Sequence, residues 1–221
     1  MEEDLEHISA EVFGSSPIVA RFHPKKDLGC SWRMKEDTMH LFVSDYLKDA
    51  PADVIREYLT FIKERRGGEG YALPESILNW MGSERFIDAN RGKYVQRCKN
   101  LSRTSEGKER NLTDSLDRLI DMDLICPDDI ENSYFSWMRH SNHRKLGSCN
   151  MIMRVVSISS IFDDSRVPLD LLDYVVYHEV IHLRIGLRPR GRHHDGLFKS
   201  FERMYPNYSD IETRLRHLSN P

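Results

Sequence analysis

The chain has 221 residues, of which 39% are hydrophobic and 30% are charged, and its formal net charge at pH 7 is −3. This length allows one large domain or two small ones, each with a hydrophobic core, and the composition is typical of a soluble globular protein. The acidic balance argues against a surface built mainly for nucleic acid. No apolar run approaches the roughly 18 residues that a membrane span needs.

Two further features of the composition bear on the compartment. The N-terminus, Met1-Glu2-Glu3-Asp4, is acidic and lacks the apolar core of a signal peptide. None of the four cysteines forms a C-x-x-C pair; they are Cys30, Cys98, Cys126 and Cys149. Because scattered cysteines are typical of free thiols in a reducing environment, we expect a cytoplasmic protein.

The first half of the chain predicts a strand followed by three helices. Residues 41–44 have the pattern of a strand, and residues 51–62 then predict a helix that begins at a proline. Two more helices are expected over residues 74–86 and 94–101. The polar, turn-rich segment 100–108 follows, and it predicts a domain boundary close to residue 105.

The second half predicts helices on either side of three strands. Apolar residues at helical spacing indicate a helix over residues 111–124, and residues 134–138 read as a strand. Two strands of a pair are expected over residues 146–149 and 155–159. A long helix is then predicted from Pro168 to Gly186, because proline suits a helix start and glycine suits a helix end.

This last helix contains the most informative motif, His178-Glu179-Val180-Ile181-His182, which has the form H-E-x-x-H. Because four residues make just over one helical turn, both imidazoles lie on the same face and can bind one Zn²⁺. Glu179 is then a candidate general base beside the metal. The alternative is a buried amphipathic helix without a ligand, but burying three ionisable groups without a metal or partners is costly.

A catalytic zinc usually has three protein ligands and one open position. Four downstream residues could supply the third ligand: His193, His194, Asp195 and Glu202. His194 stands at the start of a predicted helix, just before Phe198, so a rigid element would position it. Glu202 lies twenty residues after His182, a spacing that suits thermolysin-type enzymes, but we interpret it as a surface charge. His193 adjoins His194 and stays an alternative.

These motifs resemble those of the SprT-like metallopeptidases and their YgjP-like relatives. That family combines H-E-x-x-H, then H-x-x-x-F at the start of the next helix, then a proline with an aromatic residue. The corresponding residues here are 178–182, 194–198 and 205–208, and the resemblance covers roughly residues 135–215. It implies that His178, His182 and His194 are zinc ligands and that Glu179 is the catalytic base.

The expected fold is therefore α+β, with a small antiparallel sheet packed on helices that include the H-E-x-x-H helix, as in zincins. The first half of the chain resembles a degenerate repeat of the second half. In that copy, Phe61, Ile62 and Arg65 stand where the second half has the two motif histidines and the glutamate. We accordingly predict a degenerate, metal-free repeat over residues 1–105 and a zincin-like catalytic domain over residues 106–221.

The predicted function is zinc-dependent hydrolysis of peptide bonds by a metal-activated water, with Glu179 as general base and a protein or peptide as substrate. Candidate donors for the oxyanion are Tyr174, Tyr177, Tyr205, Tyr208 and Arg184. Two alternatives stay open. One is a DNA-associated protein-processing or binding factor that uses the arginine-rich loop 184–192. The other is a non-catalytic, zinc-stabilised domain. Histidine ligands also accept other divalent ions.

Overall fold

The computed structural model describes residues 2–14, 17–64, 73–187 and 194–219. The chain divides into two compact units, Met1–Tyr94 and Val95–Pro221. Each unit combines helices with one three-stranded sheet, so the protein belongs to the α+β class. Within the described ranges, none of the helices combines the length and the apolar character that crossing a bilayer requires.

The sheet of the first unit is mixed. The elements of this part of the chain are α1 (Glu2–Phe13), β1 (Ile18–His23), β2 (Cys30–Lys35), β3 (Thr38–Ser44), α2 (Ala52–Glu64), α3 (Glu75–Met81) and α4 (Glu84–Arg97). The central strand β3 pairs in parallel with β1 and antiparallel with β2. Helix α1 packs against β1 and α2. The strand expected over residues 41–44 is confirmed as part of β3, and the helix expected over 51–62 is confirmed as α2.

The predictions for the other elements of this unit are incomplete. Neither α1 nor β1 was predicted, although the alternation of Ile18, Ala20 and Phe22 is the pattern of a strand. The helices expected over 74–86 and 94–101 have different bounds, because α3 ends at Met81 and α4 begins at Glu84. Ser83 separates them: its hydroxyl accepts the backbone N–H of Phe86 at 3.2 Å and caps the new helix.

The second unit has a sheet with the same order of strands. Its elements are α5 (Leu112–Asp121), α6 (Pro127–Ile130), β4 (Tyr134–Trp137), β5 (Gly147–Asn150), β6 (Val155–Ile158), α7 (Leu169–Ile185), α8 (Gly196–Glu202) and α9 (Tyr208–Ser219). The central strand β6 pairs in parallel with β4 and antiparallel with β5. The expected antiparallel sheet is therefore mixed, since the outer strand β4 runs parallel to its neighbour. The strands predicted over 134–138, 146–149 and 155–159 are confirmed within a few residues as β4, β5 and β6. The helix predicted over 111–124 is confirmed as α5.

Helix α7 lies at the centre of the second unit. It packs against α5, α6, β5, β6, α8 and α9. The predicted apolar stripe is confirmed as core, since Leu172, Val176, Val180 and Leu183 are all buried. Gly186 ends the helix as expected, with a positive φ of 70° that glycine adopts without a steric penalty. The long H-E-x-x-H helix is thus surrounded by structure along most of its length.

The segment 100–108 lies within the second unit and contacts its sheet. The backbone N–H of Ser102 donates to the carbonyl of Trp137 at 2.9 Å, and the N–H of Trp137 donates to the carbonyl of Thr104 at 3.0 Å. Leu101 also forms a bridge with Met138. This polar segment, which we expected to separate the two domains, therefore extends the edge of the second sheet beyond β4.

One buried ion pair joins α5 to α7. The carboxylate of Asp173 is almost fully buried and accepts two hydrogen bonds from the guanidinium of Arg118, at 2.7 and 2.8 Å. The hydroxyl of Ser115 donates a third bond at 2.6 Å. Because each polar group has a partner with good geometry, the pair can exist inside the core.

We expect the Asp173→Ala variant to lose about 3 kcal/mol of unfolding free energy, because the partly buried guanidinium of Arg118 would lose its counter-charge. Urea denaturation followed by circular dichroism measures this loss. Asp170→Asn is the matched control on the same helix, since Asp170 pairs with Arg214 where both side chains are partly exposed. We expect it to cost less than about 1 kcal/mol. Equal losses in the two variants would contradict the stabilising role of the buried pair.

Candidate metal site

Helix α7 positions the first two histidines of the site. The ring centroids of His178 and His182 lie 5.2 Å apart on one face of the helix, as the four-residue spacing predicts. Both rings are partly buried. Glu179, the next residue along the helix, lies on a neighbouring face and is only 6% exposed. The three residues of the motif therefore lie in one region at the C-terminal half of α7.

The third histidine comes from the turn before α8. His194 is directly followed by Asp195, whose carboxylate accepts the backbone N–H of Phe198 at 3.0 Å and caps the helix. The Nε2 atoms of His194 and His182 are 3.1 Å apart. One ring nitrogen from each of His178, His182 and His194 lies within 4.8 Å of the others. The structure thus brings together the three residues that the motif analysis selected.

A phenylalanine supports all three imidazoles. The ring of Phe198 is completely buried, and its centroid lies 4.5 to 5.0 Å from the ring centroids of His178, His182 and His194. Edge and tilted contacts at these distances are favourable for aromatic rings. The aromatic residue of the H-x-x-x-F motif therefore forms the apolar floor of the histidine cluster, and this restricts the orientations that the rings can adopt.

Glu202 has a role that the sequence did not predict. We expected a surface helical charge, but the residue is only 7% exposed, and its carboxylate accepts a hydrogen bond from Nδ1 of His178 at 2.9 Å. The hydroxyl of Tyr174 lies 3.3 Å from the same oxygen. Because Nδ1 of His178 donates to Glu202, its Nε2 is the nitrogen that can bind a metal. The sequence did carry a signal, since the spacing of twenty residues from His182 made Glu202 a candidate ligand, but it did not indicate the bond to His178.

The donor set fits a divalent metal ion such as zinc. Zinc is commonly bound by neutral imidazoles, and two nitrogens at 2.0–2.1 Å from one tetrahedral ion are separated by about 3.3 Å. The observed separation of 3.1 Å between Nε2 of His182 and Nε2 of His194 is close to that value. A carboxylate behind a ligand histidine is also a common second partner in such sites, as Glu202 is behind His178. The residues present are therefore compatible with a three-histidine metal site.

Glu179 is held against the edge strand of the sheet. Its side chain contacts Gly147 at the start of β5, where a Cβ atom would lie within 2.9 Å of the carboxyl carbon. Only glycine leaves enough room for this approach. Burial raises the pKa of Glu179 to about 7, although the nearby charges of His178 and Lys145 oppose the increase. A carboxyl group with such a pKa can accept and release a proton near neutral pH.

Four of the five candidate oxyanion donors have structural roles instead. Tyr174 bonds to the carboxylates of Glu202 and Glu212, Tyr177 to the carbonyl of Phe201, Tyr205 to the carbonyl of Asp170, and Arg184 to Asp129. These partners direct the hydroxyl and guanidinium groups into the packing between helices. Tyr208 is the remaining candidate, and its ring lies 6.1 Å from that of Tyr174.

Other predicted site residues do not join the cluster or cannot be placed. Asp195 caps α8 and is not among the three residues whose ligand atoms converge in the described part of the chain. His193 and most of the arginine-rich loop, residues 188–192, lie outside the described residues. Arg184 begins that loop in the sequence, but its guanidinium is bound to Asp129 and packs over the ring of Phe201. This residue stabilises the fold and is not presented to a phosphate backbone.

Comparisons with protein-family models, with curated proteins and with solved structures give no match for this chain. The resemblance to SprT-like metallopeptidases therefore depends only on the motifs described above.

The Asp129–Arg184 pair generates a prediction about pH. Burial alone would raise the pKa of Asp129, but bonds from Arg184 and from the backbone N–H of Cys126 outweigh burial and lower the pKa to about 2. Since the unfolded carboxyl group titrates near 3.8, the pair stabilises the fold above about pH 5. That contribution is lost as the pH falls through about 4 to 2.

We expect Asp129→Asn to lower the unfolding free energy by about 1–2 kcal/mol at pH 7, a range that allows for partial solvent screening. The difference from the unmodified protein should shrink toward zero between about pH 4 and pH 2. Chemical denaturation over this pH range measures it. Asp128→Asn, at the exposed neighbouring position, should have no comparable effect. A difference that does not change with pH would contradict this account of the ion pair.

Proposed function

We propose that this protein is a zinc-dependent metallopeptidase. The observation that supports this proposal is the convergence of His178, His182 and His194 next to a buried Glu179. Three neutral nitrogen ligands with one open position are typical of catalytic zinc sites, whereas structural zinc sites usually have four protein ligands. The three-histidine cluster among the described residues therefore favours catalysis over a purely structural metal.

Each residue of the site has a chemical role in this proposal. His178, His182 and His194 would hold the ion, and Glu202 orients His178 through its Nδ1. When bound, zinc supplies a Lewis acid that polarises the substrate carbonyl and lowers the pKa of water. Glu179 accepts the proton of the attacking water and returns it to the leaving amine, a role that its raised pKa suits.

The edge strand supports a peptide as the substrate. Within the described part of the second sheet, β5 pairs with β6 on one side only. An extended peptide can bind to such an edge as an additional strand, through backbone hydrogen bonds. Gly147 lies on this strand and contacts the side chain of Glu179. A peptide that added to β5 would therefore bring one of its backbone carbonyls close to the catalytic base.

The SprT-like resemblance agrees with this proposal. We also infer that the fold is duplicated and that one copy has no metal site. Both sheets have a central strand flanked by one parallel and one antiparallel neighbour. In both units a serine caps a short 3₁₀ helix after the central strand, Ser44 in the first and Ser159 in the second. In α2, Phe61 is buried at the position that corresponds to His178. We infer that the first unit is a copy without the metal ligands.

The Glu179→Gln variant tests the catalytic proposal. We expect peptidase activity toward an unfolded protein substrate to fall by about 10²- to 10⁴-fold, because glutamine cannot accept the proton. Metal analysis should still find one zinc per chain, since the three histidines are unchanged. Cleavage can be followed by mass spectrometry of the products. Glu106→Gln, an exposed residue of the same unit, is the matched control and should retain full activity.

Two outcomes would contradict the proposal. If the purified zinc-loaded protein shows no cleavage that depends on Glu179, the site is not a peptidase centre. If chelation unfolds the protein and no peptide is cleaved, the metal has the structural role of the zinc-stabilised alternative.

Zinc affinity tests the assignment of the ligands and of Glu202. We expect His194→Ala to abolish stoichiometric zinc binding, and Glu202→Gln to weaken affinity by about 10- to 100-fold because the amide no longer fixes the His178 ring. Competition with a chromogenic chelator measures both. Glu212→Gln is the matched control. The carboxylate of Glu212 lies 3.1 Å from the Tyr174 hydroxyl, but the bond from Nδ1 of His178 goes to Glu202. Equal affinities for the Glu202 and Glu212 variants would contradict the orienting role.

A further inference from the structure

The loop that leads into β5 is positively charged. Residues 139–146 contain three cations and two histidines and no carboxylate; the cations are Arg139, Arg144 and Lys145, and the histidines are His140 and His143. Arg139 donates to the carbonyl of Leu101, and Nδ1 of His143 bonds to the carbonyl of Leu218. Both residues therefore anchor the loop, and Arg144 and Lys145 are exposed.

The backbone of this loop is firmly positioned next to the site. Asn142 accepts the backbone N–H groups of Arg144 and Lys145 through its side-chain oxygen, at 2.9 and 3.0 Å. Asn142 itself exchanges two bonds with the hydroxyl of Ser159, at 2.8 and 3.0 Å. Lys145 is thus held only two residues before Gly147, which contacts Glu179. In extended backbone, two residues span about 7 Å.

Lys145 lies close to the catalytic carboxylate, because Gly147, two residues further along the chain, contacts the side chain of Glu179. The carboxylate of Glu202, beside the histidines, is engaged with His178. An anionic group that entered along β5 would therefore meet an exposed lysine next to Glu179.

We propose that Lys145 is a specificity-determining residue that selects peptides with an aspartate or glutamate within about two residues of the cleaved bond. This inference rests on the proposed peptidase function. A peptide added to β5 advances about 3.3 Å per residue, so a side chain two residues from the bond beside Glu179 lies at the level of Lys145. An acidic side chain can form an ion pair there, whereas a basic side chain is repelled.

The test uses the full-length, zinc-loaded chain and a peptide library from a digested proteome, with cleavage sites mapped by mass spectrometry. We expect acidic residues to be enriched at one fixed position near the cut. Quenched fluorescent peptides that differ only in Glu, Gln or Lys at that position should differ in kcat/KM by about three- to fivefold per step, the size expected of an exposed ion pair. Raising the salt concentration to about 1 M should reduce the preference in the unmodified protein.

Variants then assign the preference to one side chain. Lys145→Gln should bring the ratio of kcat/KM for the glutamate peptide to that for the glutamine peptide close to one, and Lys145→Glu should invert the preference in favour of the lysine peptide. Lys108→Gln is the matched control, because Lys108 is an exposed lysine on a different loop of the same unit. It should keep the preference of the unmodified protein.

The outcomes separate this inference from the proposed function. Cleavage that depends on Glu179 but shows no acidic preference overturns the role of Lys145 alone. A preference for acidic residues that survives in Lys145→Gln also overturns the role of Lys145. The same conclusion follows, without any variant, if high salt leaves the preference of the unmodified protein unchanged. If cleavage that depends on Glu179 is absent altogether, the peptidase proposal fails and this inference fails with it.

Discussion

The structure of the second unit depends on the burial of α7, which brings several polar side chains into the core. Eleven of its seventeen residues are buried, and these include Asp173, Tyr174 and Glu179. Because unpaired polar groups in a core are costly, the surrounding elements supply the partners. Helix α5 contributes Arg118 to Asp173, and α8 contributes Glu202 to Tyr174. The packing that buries the helix therefore also orients the groups that face the site.

The site combines groups from three different elements, and each is held by a distinct interaction. The two motif histidines are positioned by the pitch of α7, and His194 by the capped start of α8. Glu179 is positioned by its contact with Gly147 on β5. Phe198 connects α7 and α8, since its buried ring packs against all three imidazoles. The site can thus keep its geometry before any metal binds, which is the property that an efficient metal centre requires.

Similar sheets in the two units show how a shared topology can differ in chemistry. Each unit has a mixed sheet followed by a capped 3₁₀ helix and then a helix that starts next to a proline. In α2, the helix that follows the first sheet, Phe61 is buried. The strand order is determined by backbone pairing and chain connection, so it can persist while side chains change.

Local patterns in the sequence were sufficient to predict the strands of the second sheet, the bounds of α7 and the two motif histidines, because each depends on the spacing of neighbouring residues. His194 was favoured among four candidates by its four-residue spacing to Phe198. The mixed pairing of β4, the partnership of Glu202 with His178 and the contact between Gly147 and Glu179 were not predicted. These features join residues separated by 21 to 32 positions, and the long-range packing of helices and strands decides them. The sequence alone therefore identified the two motif histidines and a short set of candidates for the third ligand, from which the structure brings His194 to the site. Only the tertiary structure decided how they are oriented, since orientation depends on partners that the chain brings close only when it folds.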